Sequence, residues 1–407
     1  MKSEAQNILI KDYDYNLPHS KIAEFPLTHR DESKLLVYKK GKIEDDKFFN
    51  LARHIPAGST LILNNTRVIE ARILFHKPTG GVIEIFCLEP FGKTVEQSLS
   101  LGEKVQWLCL IGGASKWKHG QALQKEILIG GVPVQLTAHY IGKQADSFII
   151  EFSWITQHSF AEVLHAAGAI PLPPYIKRNA TEEDKERYQT IFSKQQGSVA
   201  APTAALHFTQ NVFQNLSENN IDAAYITLHV GAGTFKPVKT QSVAEHEMHK
   251  EPFHVSGDVL KRILSSKKII VVGTTSLRTL ESIYWLGVKL INGLIKDEWT
   301  LQQWESYELQ KNYPHISVKE SLQALINWLE SNNQAELHCE TSLIILPGYQ
   351  FKIPDGLITN FHQPQSTLLL LVSAFIGEDW RKVYQHALDS DYRFLSYGDS
   401  SLLWRNA

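Results

Sequence analysis

The chain has 407 residues, of which 43% are hydrophobic, so it is long enough for two or more domains with buried cores. Lysine and arginine together number 41 against 43 aspartate and glutamate residues, so the overall charge does not indicate a nucleic-acid binder. Three scattered cysteines without CxxC spacing do not indicate a disulfide framework or a zinc knuckle. The N-terminus lacks an apolar signal core and the longest apolar run is Leu368–Val372, so we expect a soluble cytoplasmic protein without membrane contact.

The first 152 residues contain two kinds of strand pattern. Two strand candidates, KLLVYKK (34–40) and STLILNNTR (59–67), lie in the N-terminal segment. Residues 68–152 contain six short apolar runs separated by turn sequences such as PTGG and IGGAS, a pattern typical of a small barrel or sandwich. No helix is expected among these runs.

From residue 153 onward, strands and helices alternate, which indicates an α/β domain. Strands are predicted at IIVV (269–272) and LIILPGY (343–349), and the Trp-rich stretch 285–340 reads as an elaboration without a regular period. We therefore predict a mixed α/β catalytic domain formed by residues 1–67 and 153–407, with an inserted small all-β, barrel-like domain at 68–152. Helices are predicted at TEEDKERYQTIFS (181–193), SLRTLESIYWLG (276–287, ended by Gly287), SVKESLQALINWLES (317–331) and STLLLLVSAFIG (366–377).

Four segments place polar groups where an α/β sheet usually binds ligands, at strand ends and helix starts. Each also has a simpler explanation as a polar turn, a helix cap or a histidine satisfied in the core. The four segments carry Asn64, Asn65, Thr66 and Arg67; Thr203 and His207; Gly273, Thr274, Thr275, Ser276 and Arg278; and Asn360 and His362.

A fifth segment, AYITLHVGAGTF (224–235), alternates as a strand and then runs into glycines. Tyr225, Thr227 and His229 share one face. A dinucleotide-binding loop is not expected, because the third glycine of that motif is missing and Pro237 stands where its helix would continue.

Several histidines raise the question of a metal site. We expect His207, His229 and His362 to follow strand ends, and His246 and His249 lie three residues apart in HEMHKE. Convergent histidines can bind zinc, but HEMH is not the HExxH motif. Neutral imidazoles suit proton transfer near neutral pH, so we predict acid–base use and no metal.

The longer motifs resemble a known family over nearly the whole chain. GSVAAPTAALHF, TLHVGAGTFKPV, VVGTTSLRTLES, LITNFHQPQSTLLLLVSAF and YRFLSYGDSSLL are similar to successive blocks of the S-adenosylmethionine:tRNA ribosyltransferase-isomerase family. The resemblance implies an enzyme of queuosine biosynthesis, with S-adenosylmethionine as co-substrate, tRNA as partner and no prosthetic group. Such enzymes transfer and isomerise the ribosyl part of S-adenosylmethionine onto aminomethyl-7-deazaguanine in the anticodon, giving epoxyqueuosine-tRNA, adenine and methionine. We expect a monomer.

This reaction needs a base, an acid, a cradle for the methionine carboxylate and an acceptor for the modified base. We expect His207 or His229 as base and His249 or His362 as acid. The turn 273–276 with Arg278 is predicted to hold the carboxylate. Glu251 or Asp399 is expected to accept from the deazaguanine edge, and Arg67, Lys177 and Arg178 are expected to meet tRNA phosphates. The remaining substrate-binding candidates are Asn65, Thr66, Thr203, Gly231, Gly233, Thr234 and Asn360.

Two positions depart from the expected family pattern. Ala205 stands where a glycine is expected, and Gln365 stands where a lysine is expected. An added β-carbon would narrow a pocket or exclude a positive φ, and loss of a lysine would weaken attraction for an anion. Two alternatives therefore stay open: a divergent paralogue that binds RNA without this activity, and a metal hydrolase with histidine ligands.

Overall fold

The computed structural model describes residues 8–118, 120–231, 243–296 and 298–406. Within these ranges, ten strands form one mixed sheet in the order β16-β17-β14-β13-β3-β15-β18-β19-β1-β2. The strands are β1 (Lys34–Lys39), β2 (Lys42–Lys47), β3 (Ser59–Asn64), β13 (Asp222–Leu228), β14 (Glu251–Ser256), β15 (Lys268–Val272), β16 (Thr300–Leu301), β17 (Glu336–Thr341), β18 (Gly356–Asn360) and β19 (Ser400–Trp404).

The central strands of this sheet are buried on both faces. In β3, Leu61 and Leu63 pack into one hydrophobic cluster, and Ile62 between them packs into another. In β15, Ile270 and Val271 divide between the same two clusters. Both faces are covered, which explains why the central strands read as continuous apolar runs rather than as alternating patterns.

Four neighbouring strands of the large sheet, β13, β3, β15 and β18, are parallel to one another. Their carboxyl ends therefore lie at the same edge of the sheet. Loops and helix N-termini that follow parallel strands meet at such an edge, which is where open α/β sheets bind ligands.

A second sheet is antiparallel. In the described residues its strands are hydrogen-bonded in the order β11-β5-β6-β7-β10-β9-β8. It has a separate hydrophobic core that includes Phe75, Trp107 and Phe160. Its strands are β5 (Arg72–His76), β6 (Val82–Pro90), β7 (Lys104–Gly112), β8 (Leu123–Ile129), β9 (Val132–Gln144), β10 (Ser147–Ser153) and β11 (Gly168–Ala169), and β4 (Thr66–Val68) pairs separately with β12 (Gln195–Ser198).

The mixed α/β class is confirmed, whereas the division into a catalytic domain and an inserted barrel-like domain at 68–152 stays a prediction. The helices pack on the two sheets and connect them. They are α1 (Val95–Ser100), α2 (Phe160–Ala167), α3 (Glu182–Arg187), α4 (Gln210–Glu218), α5 (Gly257–Ser265), α6 (Thr274–Ile291), α7 (Glu305–Asn312), α8 (Val318–Ser331), α9 (Thr367–Ile376) and α10 (Trp380–Asp389).

Three helix predictions were wrong. The helix predicted at 181–193 ends at Arg187. Residues 68–152 do contain a helix, α1, which begins with a capping box formed by Thr94 and Gln97. Helix α6 does not end at Gly287 but continues to Ile291. A β-carbon at Gly287 would lie 2.1 Å from the hydroxyl oxygen of Ser321 in α8, so this glycine permits a close helix crossing rather than ending the helix.

Three further expectations were also wrong. Leu343–Leu346 is not a strand, because its backbone bonds to Tyr307 and Gln303 instead of joining a ladder. His207 does not follow a strand but follows a short 3₁₀ turn at Thr203–Ala205. The stretch 285–340 is not irregular, since it contains α7, α8 and two strands of the large sheet.

Candidate active site

The edge formed by the four parallel strands collects most of the predicted site residues. Asn65 follows β3, His229 follows β13, Gly273 follows β15, and Asn360 ends β18. The sequence placed these groups at strand ends; the sheet order places the strand ends side by side.

An open pocket of about 1070 Å³, solvent at its mouth included, lies over the ends of β15 and β18. Its walls come from the loop before α9, from the segment 200–204 and from Tyr175, Tyr188 and Ser396. Among the predicted residues, the pocket is lined by Thr203, Gly273, Thr274, Thr275, Asn360 and His362.

The N-terminus of α6 opens into this pocket without a side-chain cap. Gly273 precedes the helix with φ +89°, and among the described residues no side chain caps its first turn. The hydroxyl oxygen of Ser276 is buried and has no partner among the residues described. The free N–H groups of an 18-residue helix carry partial positive charge, which favours a carboxylate or phosphate.

Asn360 contributes an unused donor to the same pocket. Its side-chain oxygen accepts a hydrogen bond of 2.8 Å from Thr203. In the described parts of the chain, its buried amide nitrogen has no partner. A buried donor without a partner is costly, so this nitrogen is suited to bond a ligand oxygen.

His362 is held rigidly at the end of β18. Its backbone N–H donates to the Tyr384 hydroxyl at 3.1 Å, its carbonyl accepts from the Tyr15 hydroxyl, and its ring Nε2 lies 2.9 Å from the Thr359 hydroxyl oxygen. Burial lowers the pKa of His362 to about 4. The ring is therefore neutral at neutral pH and can accept or donate a hydrogen bond, but it holds no acidic proton.

His229 lies beside this pocket and belongs to a separate, charged group. Its neighbour Val230 lines the pocket, whereas the His229 ring contacts Thr66 and Glu96. The distances are 2.9 Å from Nδ1 to the Thr66 hydroxyl and 3.2 Å from Nε2 to a Glu96 carboxylate oxygen. Gly197 makes room for this ring, since a β-carbon there would lie 3.0 Å from it.

Glu96 is the residue that sequence reasoning missed. Its hydrogen bond with His229 lowers the pKa of the Glu96 carboxyl to about 2, so it is ionised, and 47% of its side chain is exposed. It also lies 3.9 Å from Nε2 of His254, whose pKa is lowered by burial and by the neighbouring His338. The Thr94–Gln97 capping-box spacing could have revealed α1, and with it the position of Glu96 in the first turn.

The predicted cradle residue Arg278 and the predicted acceptor Glu251 bind each other instead of facing the pocket. Their ion pair measures 2.6 Å, and they are only 6% and 4% exposed, respectively. Arg278 also donates to the Leu343 carbonyl. The polar groups available at the start of α6 are therefore backbone N–H groups and hydroxyls, without this guanidinium.

Asp399 and His207 are also placed away from the pocket. Asp399 is buried and accepts from the backbone N–H groups of Lys34 and Arg393. His207 donates through Nδ1 to the Arg30 carbonyl at 3.1 Å and borders a different, smaller cavity. Burial lowers the pKa of His207 to about 4, so this ring is neutral too.

The residues predicted to contact tRNA phosphates differ in solvent exposure and in whether another side chain already binds them. Arg178 is bound to Asp184 at 2.6 and 2.8 Å, and its guanidinium lies over the Phe25 ring. Arg67, Lys177 and the acid candidate His249 are exposed. Gly231 ends a described segment, and Gly233 and Thr234 lie outside the described residues.

The histidine set considered for zinc does not converge. Within the described ranges, the His, Cys, Asp or Glu group with ligand atoms inside 4.8 Å of one another consists of His254, Glu336 and His338. His207, His229 and His362 are not part of it.

The two departures from the family pattern lie in different surroundings. Ala205 packs its side chain into the hydrophobic core and does not line the pocket. Gln365 does line the pocket, has φ +54°, and donates to Asp14 at 3.0 Å.

Comparison with known proteins decides the family. A family model described as "Queuosine biosynthesis protein" matches residues 10–403. The chain belongs to this family. The resemblance predicted from the sequence motifs is thereby confirmed.

The curated relatives carry a specific enzyme name. The chain is 35% identical over 401 residues to the S-adenosylmethionine:tRNA ribosyltransferase-isomerase of Magnetococcus marinus, covering 97% of this chain and 94% of the relative. It is 37% identical over 402 residues to the enzyme of that name from Nitrosomonas europaea, covering 96% and 95%. The crystal structure of an S-adenosylmethionine tRNA ribosyltransferase from Thermotoga maritima matches 96% of this chain and 99% of that chain at 26% identity, with a TM-score of 0.45.

Within the described residues, no helix has both the length and the apolar character that a membrane span requires.

Proposed function

We propose that this enzyme transfers and isomerises the ribosyl moiety of S-adenosylmethionine onto aminomethyl-7-deazaguanine in a tRNA anticodon. The products are epoxyqueuosine-tRNA, adenine and methionine, and no prosthetic group takes part. The observation that carries the proposal is the pairing of an uncapped helix N-terminus in a pocket with a histidine–carboxylate pair beside it. We place the enzyme in the cytoplasm, where its tRNA substrate is, and expect it to act as a monomer.

The methionine end of S-adenosylmethionine would lie at the start of α6. Its carboxylate can accept from the N–H groups of Thr274, Thr275 and Ser276, where the helix dipole adds attraction. The free amide nitrogen of Asn360 can donate to a second oxygen of the substrate. The names of the relatives support S-adenosylmethionine as the substrate, and the uncapped start of α6 supports this position for its carboxylate.

The reaction begins when a base removes a proton from the 5′ carbon, which the adjacent sulfonium acidifies. We assign this role to His229. With the Glu96 carboxylate accepting from Nε2–H, the lone pair of Nδ1 would take the proton, and the carboxylate would stabilise the resulting imidazolium. The Thr66 hydroxyl contacts Nδ1 of His229, and the bound substrate would displace it from this position.

His362 receives a different role from the one its sequence position indicated. A ring whose pKa burial lowers to about 4 carries no acidic proton at neutral pH, so we assign it to hydrogen bonding of the substrate in the pocket. His249, which is exposed, stays the candidate acid for adenine departure.

The modified base carries an ammonium arm, which calls for an exposed carboxylate. Glu251 and Asp399 are buried and already bound, whereas Glu96 is ionised and half exposed, so we assign the arm to Glu96. Exposed Arg67 and Lys177 remain the candidates for phosphate contacts.

The direct test is release of adenine from S-adenosylmethionine in the presence of tRNA that carries aminomethyl-7-deazaguanine. The same tRNA with unmodified guanine is the matched control. Release that depends on the modified base supports the proposal. If the protein binds the modified tRNA but releases no adenine, the alternative of an RNA-binding paralogue without this activity is correct.

A further inference from the structure

A polar row crosses three neighbouring strands at the edge of the large sheet. Thr227 of β13 pairs in register with His254 of β14, and His254 pairs in register with His338 of β17. Residues that pair in register point to the same face of a sheet, and so do residues two apart in one strand. Glu336, two residues before His338, therefore lies on the same face as both histidines.

We propose that His254, His338 and Glu336 bind one zinc ion. One ligand atom from each of the three side chains lies within 4.8 Å of the other two. The centroids of the two imidazole rings are 4.3 Å apart, and Nε2 of His338 is 3.3 Å from a Glu336 carboxylate oxygen. Ligands of one tetrahedral zinc ion, with bonds of about 2.0 Å, lie about 3.3 Å from each other, so modest side-chain rotation completes the geometry.

The donor set determines which ion is expected. Two imidazole nitrogens and one carboxylate oxygen suit zinc and other late first-row divalent ions. Magnesium and calcium prefer sites made of oxygen ligands and are not expected to bind. Three protein ligands also leave a coordination position for water.

The proposed site is open to solvent, so an ion can enter, and the bound ion would connect two strands. His338 and Glu336 are exposed and His254 is partly exposed, so the ligands are reachable from solvent. An ion held by both histidines links β14 to β17 through their side chains. Glu96 lies 3.9 Å from Nε2 of His254, so the ion would lie near the carboxylate that contacts His229 without requiring Glu96 or His229 as a ligand.

The proposal is independent of the ribosyl-transfer reaction, and its test does not use activity. Protein without an affinity tag is stripped with chelator, dialysed and titrated with zinc chloride by calorimetry, with magnesium chloride as the comparison ion. We expect one zinc ion per chain, no saturable magnesium binding, and a thermal unfolding temperature that rises with zinc concentration.

Three variants locate the ion. His338→Ala and Glu336→Gln change exposed residues, and each should weaken zinc binding. Loss of a group that only hydrogen-bonds to a metal ligand lowers metal affinity ~10–100-fold, so loss of the ligand His338 itself should lower it by at least about 100-fold. His158→Ala is the matched control, because His158 lies 3.1 Å from Glu162 but belongs to no group of three such ligands within the described residues, and the variant should bind zinc like the unaltered chain. Absence of saturable zinc binding, or unchanged binding in His338→Ala, would overturn the proposal.

Discussion

The pocket at the ends of β15 and β18 and the charged group around His229 lie at the same edge of one sheet but are built in different ways. The pocket uses backbone N–H groups, hydroxyls and a neutral histidine, all from segments of or near the large sheet. The group around His229 depends on Glu96, which α1 brings from the part of the chain that forms the second sheet. We propose that the pocket holds the substrate and that the group around His229 holds charge during proton transfer.

This difference has a consequence for substitution. Distortion of a binding site should mainly raise the KM, whereas removal of either member of a proton-transfer pair should mainly lower kcat. Substitutions in the two regions should therefore change different kinetic parameters.

His229→Ala should reduce kcat by about 10²–10⁴-fold, which is the contribution typical of general base catalysis. Product formation with modified tRNA is measured at saturating S-adenosylmethionine, and thermal unfolding confirms that the variant is folded. His139→Ala, an exposed histidine of the second sheet, is the control and should keep full activity. Wild-type turnover by His229→Ala would remove His229 from the mechanism.

Glu96→Gln should lower kcat about 10–100-fold while the KM for S-adenosylmethionine changes little. The amide cannot stabilise an imidazolium as the carboxylate does, so the pH profile of kcat should shift as well. The pH profile distinguishes a positioning role from loss of structure. Glu126→Gln, an exposed change in β8, serves as control, and an unaltered pH profile in Glu96→Gln would contradict the assignment.

Gly273→Ala should raise the KM for S-adenosylmethionine about 10-fold with a smaller effect on kcat. A β-carbon at φ +89° is strained, by about 1–3 kcal/mol, and relief of this strain would turn the first N–H groups of α6 away from the carboxylate. Gly293→Ala is a matched control, since Gly293 has φ +64° beyond the other end of α6 and a β-carbon there meets nothing within 4 Å. If both variants change the KM equally, strain alone is responsible and the cradle is refuted.

Lys177→Ala should weaken tRNA binding several-fold, which is the smallest of the expected effects. Lys177 belongs neither to the pocket nor to the charged group around His229. Loss of one phosphate contact reduces the slope of log affinity against log salt by about 0.7–0.9. Lys42→Ala, an exposed change on the edge strand β2, should leave that slope unchanged. An unchanged slope in Lys177→Ala would refute its phosphate role, and Arg178 is unsuitable for this test because Asp184 already binds it.

Parts of both regions could be predicted, because the sequence patterns that indicate them involve residues close together in the chain. The run IIVV followed by Gly273 and a helical pattern predicts a strand, a turn and a helix N-terminus, and all three are present. Alternation in AYITLHV likewise predicted β13 and placed His229 directly after it. The family resemblance was also readable, because its motifs extend over almost the whole chain.

Other features were misread because their causes lie far away in the chain. Gly287 has the appearance of a helix stop, but only the approach of Ser321 in α8 explains why a glycine is needed there. Arg278 looked like a free cation, but β14 brings Glu251 to it. Neither contact can be predicted from the residues next to it in the sequence.

The sequence by itself determined the family, the mixed α/β class and the strand ends that carry most of the candidate site residues, because short-range periodicity, glycine placement and long motifs encode these directly. Only the tertiary structure decided which charges are free. The sheet order placed four strand ends side by side, burial made His362 and His207 neutral, and ion pairs occupied Arg278 and Arg178 while Glu96 stayed exposed. The physical reason is that charge and solvation depend on neighbours in space, which residue spacing along the chain does not specify.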